Sequence, residues 1–294
     1  MPELPDITIY TEALTRLIVG ERLLKIDLRS PFLVRTFDPE ITAVEGKRVL
    51  EISRLGKRIV WHLEDDLFLI FHLMIAGRFH CRKPNSRPSG KRDLCGFQFE
   101  QVTLMLTEAN SKQRAGLWCI RGRDQLAEHD PGGIDPLTCS PEEFRTALQL
   151  ENRTLKRALS NPKTFSGIGN AYSDEILHAA QLSPLQLSGK LSEDEIAQLY
   201  EATQQTLTEW TDRLREKTGD KFPEQVTAFH SEMAVHGKFG EPCPVCGQRV
   251  ARIVYADRET NYCPHCQTGG KVLKDRALSR LLKDDWPSTV EEWE

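Results

Sequence analysis

The sequence predicts an α+β protein of several domains: an N-terminal helix with an antiparallel β-sandwich, a helical domain, and a C-terminal four-cysteine hairpin. Three observations support this fold class. Short β-rich runs occupy about residues 22–125, helical patterns dominate from 145 to about 216, and two Cys-x2-Cys pairs follow. At 294 residues, the chain is long enough for two domains of ordinary size.

The N-terminal domain is predicted over residues 1–129. Apolar side chains from Ile7 to Ile18 follow a helical period, and Asp6 is the expected N-cap of that helix. Six β-rich runs follow, divided by turn residues, which predicts two packed antiparallel sheets. The runs are LLKIDLR, RVLEIS, RIVWHL, LFLIFHLMI, FQFEQVTLML and GLWCIRG.

A proline- and glycine-rich segment, residues 130–144, is predicted to be a linker. It is followed by a helical domain over 145–234, a zinc finger over 235–267 and a tail of unassigned role over 268–294. The helical pattern is interrupted at Gly167–Asn170. Glycines there would expose backbone N–H groups at a helix start, which suits a bound phosphate. A plain connection between two helices is the alternative.

Composition narrows the class of protein. The chain is 39% hydrophobic and 28% charged, with no apolar run near the roughly 20 residues that span a bilayer. The first residues lack the layout of a signal peptide, so a cytoplasmic location without a membrane partner is expected. The formal charge of −4 does not indicate a nucleic-acid partner, although a local basic surface would serve that purpose.

The C-terminal cysteines have the spacing of a metal site. Two Cys-x2-Cys pairs are separated by 16 residues, and their members are Cys243, Cys246, Cys263 and Cys266. Four thiolates surround Zn²⁺ tetrahedrally and leave no open position, which predicts one structural zinc ion. The segment between the pairs fits a hairpin with its turn near Asp257 and Arg258. Unligated buried cysteines and a redox pair are the alternatives, and no βαβ pattern supports the second.

The first three residues, Met1-Pro2-Glu3, suggest a nucleophile. Removal of Met1 would expose the secondary amine of Pro2, whose pKa is near the α-amino value of about 8. Such an amine is partly neutral at physiological pH and attacks an electrophilic sugar carbon to give an iminium. Glu3 would act as general acid or base. A frayed terminus is the alternative, and a retained Met1 would block the amine.

Six segments, taken in order along nearly the whole chain, resemble the formamidopyrimidine-DNA glycosylase/endonuclease VIII family. They are PELPD (2–6), RLGKR (54–58), FHLMIAGRF (71–79), KRAL…SGIGNAYSDEIL (156–177), VHGKFGEPCPVCG (235–247) and DRETNYCPHCQ (257–267). The PELP start favours the formamidopyrimidine branch. The resemblance implies a helix–two-turn–helix DNA-binding domain at 145–234 and a damaged DNA duplex bound in the cleft between the domains.

The resemblance also implies an activity: a bifunctional DNA glycosylase and AP lyase that repairs oxidised bases by base excision, with β,δ-elimination. Pro2 would form the Schiff base, Glu3 would donate the proton, Lys57 would assist β-elimination, and Arg258 would support δ-elimination and hold a phosphate. The positions implied to contact DNA are His72, Ile75, Arg114, Lys156 and Asn170. A monomer working at a bacterial-type nucleoid is expected. A non-catalytic zinc protein that binds damaged DNA, and a zinc ribbon that binds protein partners, are the rival classes.

Four departures from the family pattern bear on specificity. Asp6 replaces a glutamate, Ile75 lies where the family has a wedge methionine, Ala115 replaces an aromatic wedge, and His236 replaces a tyrosine. Alanine cannot stack on a base, and such stacking contributes about 1–3 kcal/mol. We therefore predict a weak opposite-base preference and better action on abasic or single-stranded lesions than on paired 8-oxoguanine. Ala115→Phe is predicted to increase binding to paired lesions.

Overall fold

The computed structural model describes residues 1–110, 112–255, 258–274 and 289, with backbone only for Tyr255 and Arg258. The chain packs as two compact units. The first unit comprises Met1–Pro131 and Trp210–Ala228. The second comprises the described residues of Gly132–Glu209 and Phe229–Glu294.

The first unit begins with helix α1 (Leu4–Ile18), whose buried face carries Ile7, Tyr10 and Leu14. The N-cap is Glu3, so the prediction of Asp6 as the N-cap is wrong. Asp6 lies in the first turn, and its carboxylate accepts the N–H of Glu3 at 2.8 Å. Pro5 explains the earlier start, because proline fits the first turn of a helix, where no N–H is needed.

Two four-stranded antiparallel sheets follow α1, as the sequence predicts. Their orders are β1-β6-β7-β5 and β2-β3-β4-β8. The strands are β1 (Lys25–Leu28), β2 (Val49–Leu55), β3 (Arg58–Leu63), β4 (Leu67–His72), β5 (Gly77–Arg82), β6 (Asp93–Gln98), β7 (Thr103–Glu108) and β8 (Gly116–Arg121). The single run FQFEQVTLML is divided between β6 and β7, and a short helix α2 (Arg123–Glu128) follows β8.

The core of the first unit is built around Trp61, which is fully buried. Its ring contacts Phe71 and Phe97 with centroids 4.7 and 5.2 Å apart. Residues 219–228, which belong to this unit, join the core through Val226 and Phe222. Burial of each large apolar side chain contributes about 1.5–3 kcal/mol. These aromatic contacts therefore stabilise the packing of the two sheets that the sequence predicts.

The second unit contains α3 (Pro141–Gln149), α4 (Leu155–Leu159) and α5 (Asn170–Ala179). The long helix α6 (Glu193–Thr218) starts in this unit and ends in the first. Strands β9 (Ala251–Tyr255) and β10 (Arg258–Tyr262) form the predicted hairpin, followed by α7 (Pro264–Thr268). The predicted turn residue Asp257, and 275–288 with 290–294 of the predicted tail, lie outside the described residues.

The predicted domain boundaries remain a proposal, and two features of the structure bear on them. Residues 210–228 pack with the first unit, whereas the sequence groups them with the helical domain. Helix α3 begins at Pro141, inside the predicted linker, where Ser140 caps it by accepting the N–H of Glu143. In the part of the chain that the structure describes, no helix has the length and apolarity to cross a bilayer.

Candidate functional site

In the first unit, the N-terminus lies against the body of the sandwich and is not frayed. Pro2 is buried, and Glu3 is 3% exposed. Burial lowers the pKa of the terminal amine, which here belongs to Met1, and Arg78 and Lys57 lower it further, while Glu3 and Asp6 oppose the shift. A lowered pKa enlarges the neutral, nucleophilic fraction of an amine at neutral pH.

Lys57 acts on this amine and also on His72. Gly56 and Lys57 form the two-residue turn between β2 and β3, and Gly56 has a φ of 61°, which glycine adopts without strain. Arg58, the next residue, pairs with His72 at the end of β4. Burial, followed by the charges of Arg58 and Lys57, lowers the pKa of His72 to about 4. His72 is therefore neutral at pH 7 and has one ring N–H to donate.

The loops that carry Ile75 and Arg114 lie at the same end of two neighbouring strands, β5 and β7. Gly77 of β5 pairs with Glu108 of β7, and each loop continues from that end of its strand. Ile75 is 55% exposed although it is apolar, and Arg114 is exposed. Both therefore present side chains to solvent, as DNA-contacting residues must.

Glu108 fixes the root of the second loop. Its buried carboxylate accepts the N–H groups of Arg114 at 2.9 and 3.0 Å and of Ala115 at 3.0 Å. Ala115 is 4% exposed and packs in the core of the first unit. The assignment of Ala115 as an exposed wedge position is therefore wrong. The exposed part of this loop ends at Arg114, because the Glu108 carboxylate draws the next residue inwards.

A cavity of about 440 Å³ opens in the first unit. Alternation along β5 places Arg78, His80 and Arg82 in its wall, and Arg92 joins them. Its carboxylates are engaged: Asp93 accepts backbone N–H groups of its own loop, and Glu224 accepts the N–H of Cys81 at 3.3 Å. Three arginines and His80 therefore line this cavity together with the two engaged carboxylates.

In the second unit, the four predicted zinc ligands converge. The Sγ atoms of Cys243, Cys246, Cys263 and Cys266 all lie within 4.8 Å of one another. The Sγ separations are 3.9 Å for Cys243–Cys266 and 3.4 Å for Cys246–Cys263. Tetrahedral Zn–S bonds of about 2.3 Å require sulfurs about 3.8 Å apart. The cysteines therefore fit a structural zinc ion, and the unligated alternative leaves their convergence unexplained.

Lys156 and Asn170 meet on α4 and α5. The Lys156 ammonium is nearly buried and donates to Asp174 Oδ1 and to the carbonyl of Asn170, both at 2.5 Å. Asn170 Nδ2 donates to the carbonyl of Glu259 on β10 at 2.9 Å. Asp174 Oδ2 also accepts from His236 Nδ1 at 2.8 Å. Two of the three ammonium protons of Lys156 are thus engaged within the protein.

Glu175, which follows Asp174 on α5, binds backbone N–H groups at the start of the zinc finger. Its carboxylate accepts the N–H groups of Ala234, Val235 and His236 at 2.7, 2.9 and 2.9 Å. Burial nevertheless raises the pKa of Glu175, against the lowering effect of these three bonds. The backbone of the chain entering the finger is therefore held by Glu175, while Asp174 holds the side chain of His236.

Arg258 is the first residue of β10, paired with Tyr255, and its side chain lies outside the described part of the chain. The structure adds residues that sequence reasoning missed: Arg78, Glu108, Asp174, Glu175 and His178. For Asp174 and His178 a signal was present, since both follow Asn170 at steps of four residues. No local pattern identifies Glu108, whose role depends on the path of the loop.

Three family models match the chain. Residues 1–115 match the formamidopyrimidine-DNA glycosylase N-terminal domain, 133–219 the H2TH (helix–two-turn–helix) domain of the same enzymes, and 240–269 a zinc finger found in FPG and IleRS. The three matches follow one another in the order that the sequence motifs predict.

Whole-length relatives agree with these models. The chain is 30% identical over 282 residues to a formamidopyrimidine-DNA glycosylase of Lactobacillus helveticus, covering 91% of this chain and 99% of the relative. A structure of Lactococcus lactis Fpg with DNA containing an abasic site matches with a TM-score of 0.80 and 26% identity, over 90% of this chain and 99% of that one. A complex of an Fpg mutant from the same organism with Fapy-dG-containing DNA matches with a TM-score of 0.79 and 27% identity, over 91% and 100%.

Proposed function

The chain belongs to the formamidopyrimidine-DNA glycosylase family of base-excision repair enzymes, and from that premise we propose that it excises oxidised bases from duplex DNA and then cleaves the strand as an AP lyase. The observation that carries the proposal is the burial of Pro2 and Glu3 at a terminus near Lys57, where burial already lowers the pKa of the amine on Met1. An amine in this setting has the neutral fraction that nucleophilic attack requires.

In this mechanism, removal of Met1 gives the amine to Pro2. The Pro2 nitrogen bonds to C1′ of the flipped nucleotide as the glycosidic bond breaks, and the departing base takes up the proton that the amine loses. Glu3 then protonates O4′, the C1′–O4′ bond breaks, and the nitrogen lone pair forms the iminium. The iminium makes the C2′–H acidic, and loss of that proton, assisted by Lys57, expels the 3′ phosphate in β-elimination. Arg258 is proposed to support the subsequent δ-elimination.

DNA binding is proposed to use side chains of both units. In the first unit, neutral His72, exposed Ile75 and exposed Arg114 are the candidates. In the second, Lys156 and Asn170 contact one another at the start of α5, where backbone N–H groups favour a phosphate. The relatives solved with abasic and Fapy-dG DNA support damaged DNA as the partner. One zinc ion on the four cysteines would hold the hairpin in shape and take no part in the chemistry.

Borohydride trapping tests the nucleophile. An abasic duplex should give a covalent protein–DNA adduct, and peptide mapping should place it on Pro2. Pro2→Gly should trap more weakly through a primary amine. A tag on the N-terminus should abolish trapping, whereas the same tag on the C-terminus serves as the matched control. An active preparation that retains Met1 would refute the mechanism.

The rival activity, binding of damaged DNA without catalysis, predicts affinity for the abasic duplex with no adduct and no strand cleavage. No observation in the structure favours it over the enzyme. The monomeric state, the cytoplasmic location and the weak opposite-base preference remain predictions. Cleavage of 8-oxoguanine opposite cytosine about tenfold faster than opposite adenine, or about 1.4 kcal/mol, would contradict the last of these.

A further inference from the structure

Helix α5 holds the zinc finger along one face. Side chains four residues apart lie on the same side of a helix, and Asn170, Asp174 and His178 have this spacing. Asn170 bonds to the β10 carbonyl of Glu259, and Asp174 accepts from His236 just before the finger. The third member, His178, reaches the metal site itself.

The His178 contact falls on one of the four cysteines. His178 Nε2 lies 3.3 Å from Cys243 Sγ, a distance that fits an N–H···S hydrogen bond. His178 is 6% exposed, and Cys243 is fully enclosed with it. A second bond, from Gln267 Nε2 to the carbonyl of Leu182 at 3.0 Å, holds the other side of the finger to the end of α5.

We propose that His178 is a positioning residue of the zinc site, donating its Nε2–H to the Cys243 thiolate and fixing the first cysteine pair against α5. Four thiolates around Zn²⁺ carry a net charge of −2, which is costly to bury without donors. A donor outside the ligand set both offsets that charge and orients the sulfur. This role requires zinc on the four cysteines and is independent of the glycosylase and lyase chemistry.

Two substitutions and a matched control test the role. His178→Phe keeps an aromatic ring and removes the donor, whereas His178→Gln keeps an N–H at similar reach. His265→Phe is the control, because His265 lies between Cys263 and Cys266 on α7 and is exposed. Zinc release from the full-length protein to an excess of chelator should be at least about tenfold faster for His178→Phe. His178→Gln should restore most of the difference, and the control should match the wild type.

Spectroscopy separates hydrogen bonding from ligation and from simple packing. In cobalt-loaded protein, the sulfur-to-metal charge-transfer band should shift in His178→Phe and stay in place in His265→Phe. X-ray absorption should find four sulfurs in the zinc-loaded wild type. Three sulfurs with one nitrogen would overturn the proposal by making His178 a ligand. Unchanged release and an unchanged band in folded His178→Phe would overturn it as well.

Should His178→Phe fail to fold, the wild type provides the decisive measurement. NMR of histidine-labelled, cadmium-loaded protein should find His178 protonated on Nε2, with a coupling to the metal across the hydrogen bond. Protonation on Nδ1 alone would refute the donor role. Zinc release, the cobalt spectrum, X-ray absorption and NMR do not depend on trapping or strand cleavage. If the proposed catalytic function fails, the results expected from these four measurements stay the same.

Discussion

Different interactions stabilise the interior of each unit. The first is built on a continuous apolar core around Trp61, and its buried carboxylates, such as Glu108, serve local backbone N–H groups. In the second, buried charged side chains join α4, α5 and the zinc finger, with Asp174 at the centre. Apolar packing is non-directional and tolerates shape-conserving changes, whereas a buried polar network is costly as soon as one partner is lost.

The largest expected difference between the units comes from the metal. Cys263→Ser, or zinc removal by a chelator, should unfold the finger, since the free energy of binding a structural zinc, about 10–16 kcal/mol, is free energy of folding. Hydrogen exchange should rise in β9 and β10 and stay low in β3 and β4. Cys139→Ser, in the same unit but outside the cluster, is the control. Normal DNA binding by metal-free protein would contradict this prediction.

The second expected effect is a loss of stability when the buried network of Asp174, Lys156 and His236 is broken. Asp174→Asn keeps the shape of the side chain and leaves Lys156 without its buried counter-ion, which should cost about 3–5 kcal/mol of unfolding free energy. Asp212→Asn in the first unit removes one of the two carboxylate partners of Arg215, the other being Glu12, from a pair that is about half exposed, and should cost at most about 1 kcal/mol. Chemical denaturation of both variants measures the two losses of unfolding free energy. Equal losses would remove the contrast between the units.

The third expected effect concerns the loop after β7. Ala115→Phe inserts a ring into the packed core and should destabilise the first unit by about 1–3 kcal/mol. The sequence-based expectation was stronger binding to paired lesions, so the two outcomes are opposed. Thermal unfolding and a gel-shift titration on one lesion duplex decide between them. Gln113→Phe, on the exposed part of the loop, provides the comparison.

The smallest expected effect is a pH dependence from His72. Its folded-state pKa, about 4, lies below the ordinary value of 6.5, so the unfolded chain binds the proton first as the pH falls. The stability of the wild type, complete above pH 6.5, should decline between that value and about 4. Denaturation of the wild type and of His72→Gln at pH 8 and pH 5 should favour the variant more at pH 5. An identical difference at both pH values would contradict a buried, neutral His72.

Much of the candidate site was accessible from the sequence because its signals are local. The Cys-x2-Cys pairs and the glycines before Asn170 each act within a few residues of chain, whereas Lys57 was identified only through the family resemblance. The N-cap of α1 shows where such reasoning fails even locally. Glu3 and Asp6 both suit a helix start, and Pro5, which fits a first turn, is the local signal for Glu3 that the prediction passed over.

By itself, the sequence determined the fold class, the two sheets, the hairpin with its four ligands and the family resemblance, because period, spacing and motif order are properties of the chain. Tertiary structure alone decided which side chains meet. Asp174 and His236 are 62 residues apart in sequence, and His178 and Cys243 are 65 apart. Burial, too, was decided there: Ala115 follows exposed Arg114 directly, yet the Glu108 carboxylate draws it into the core. Such contacts depend on how distant segments pack, and no local pattern encodes that.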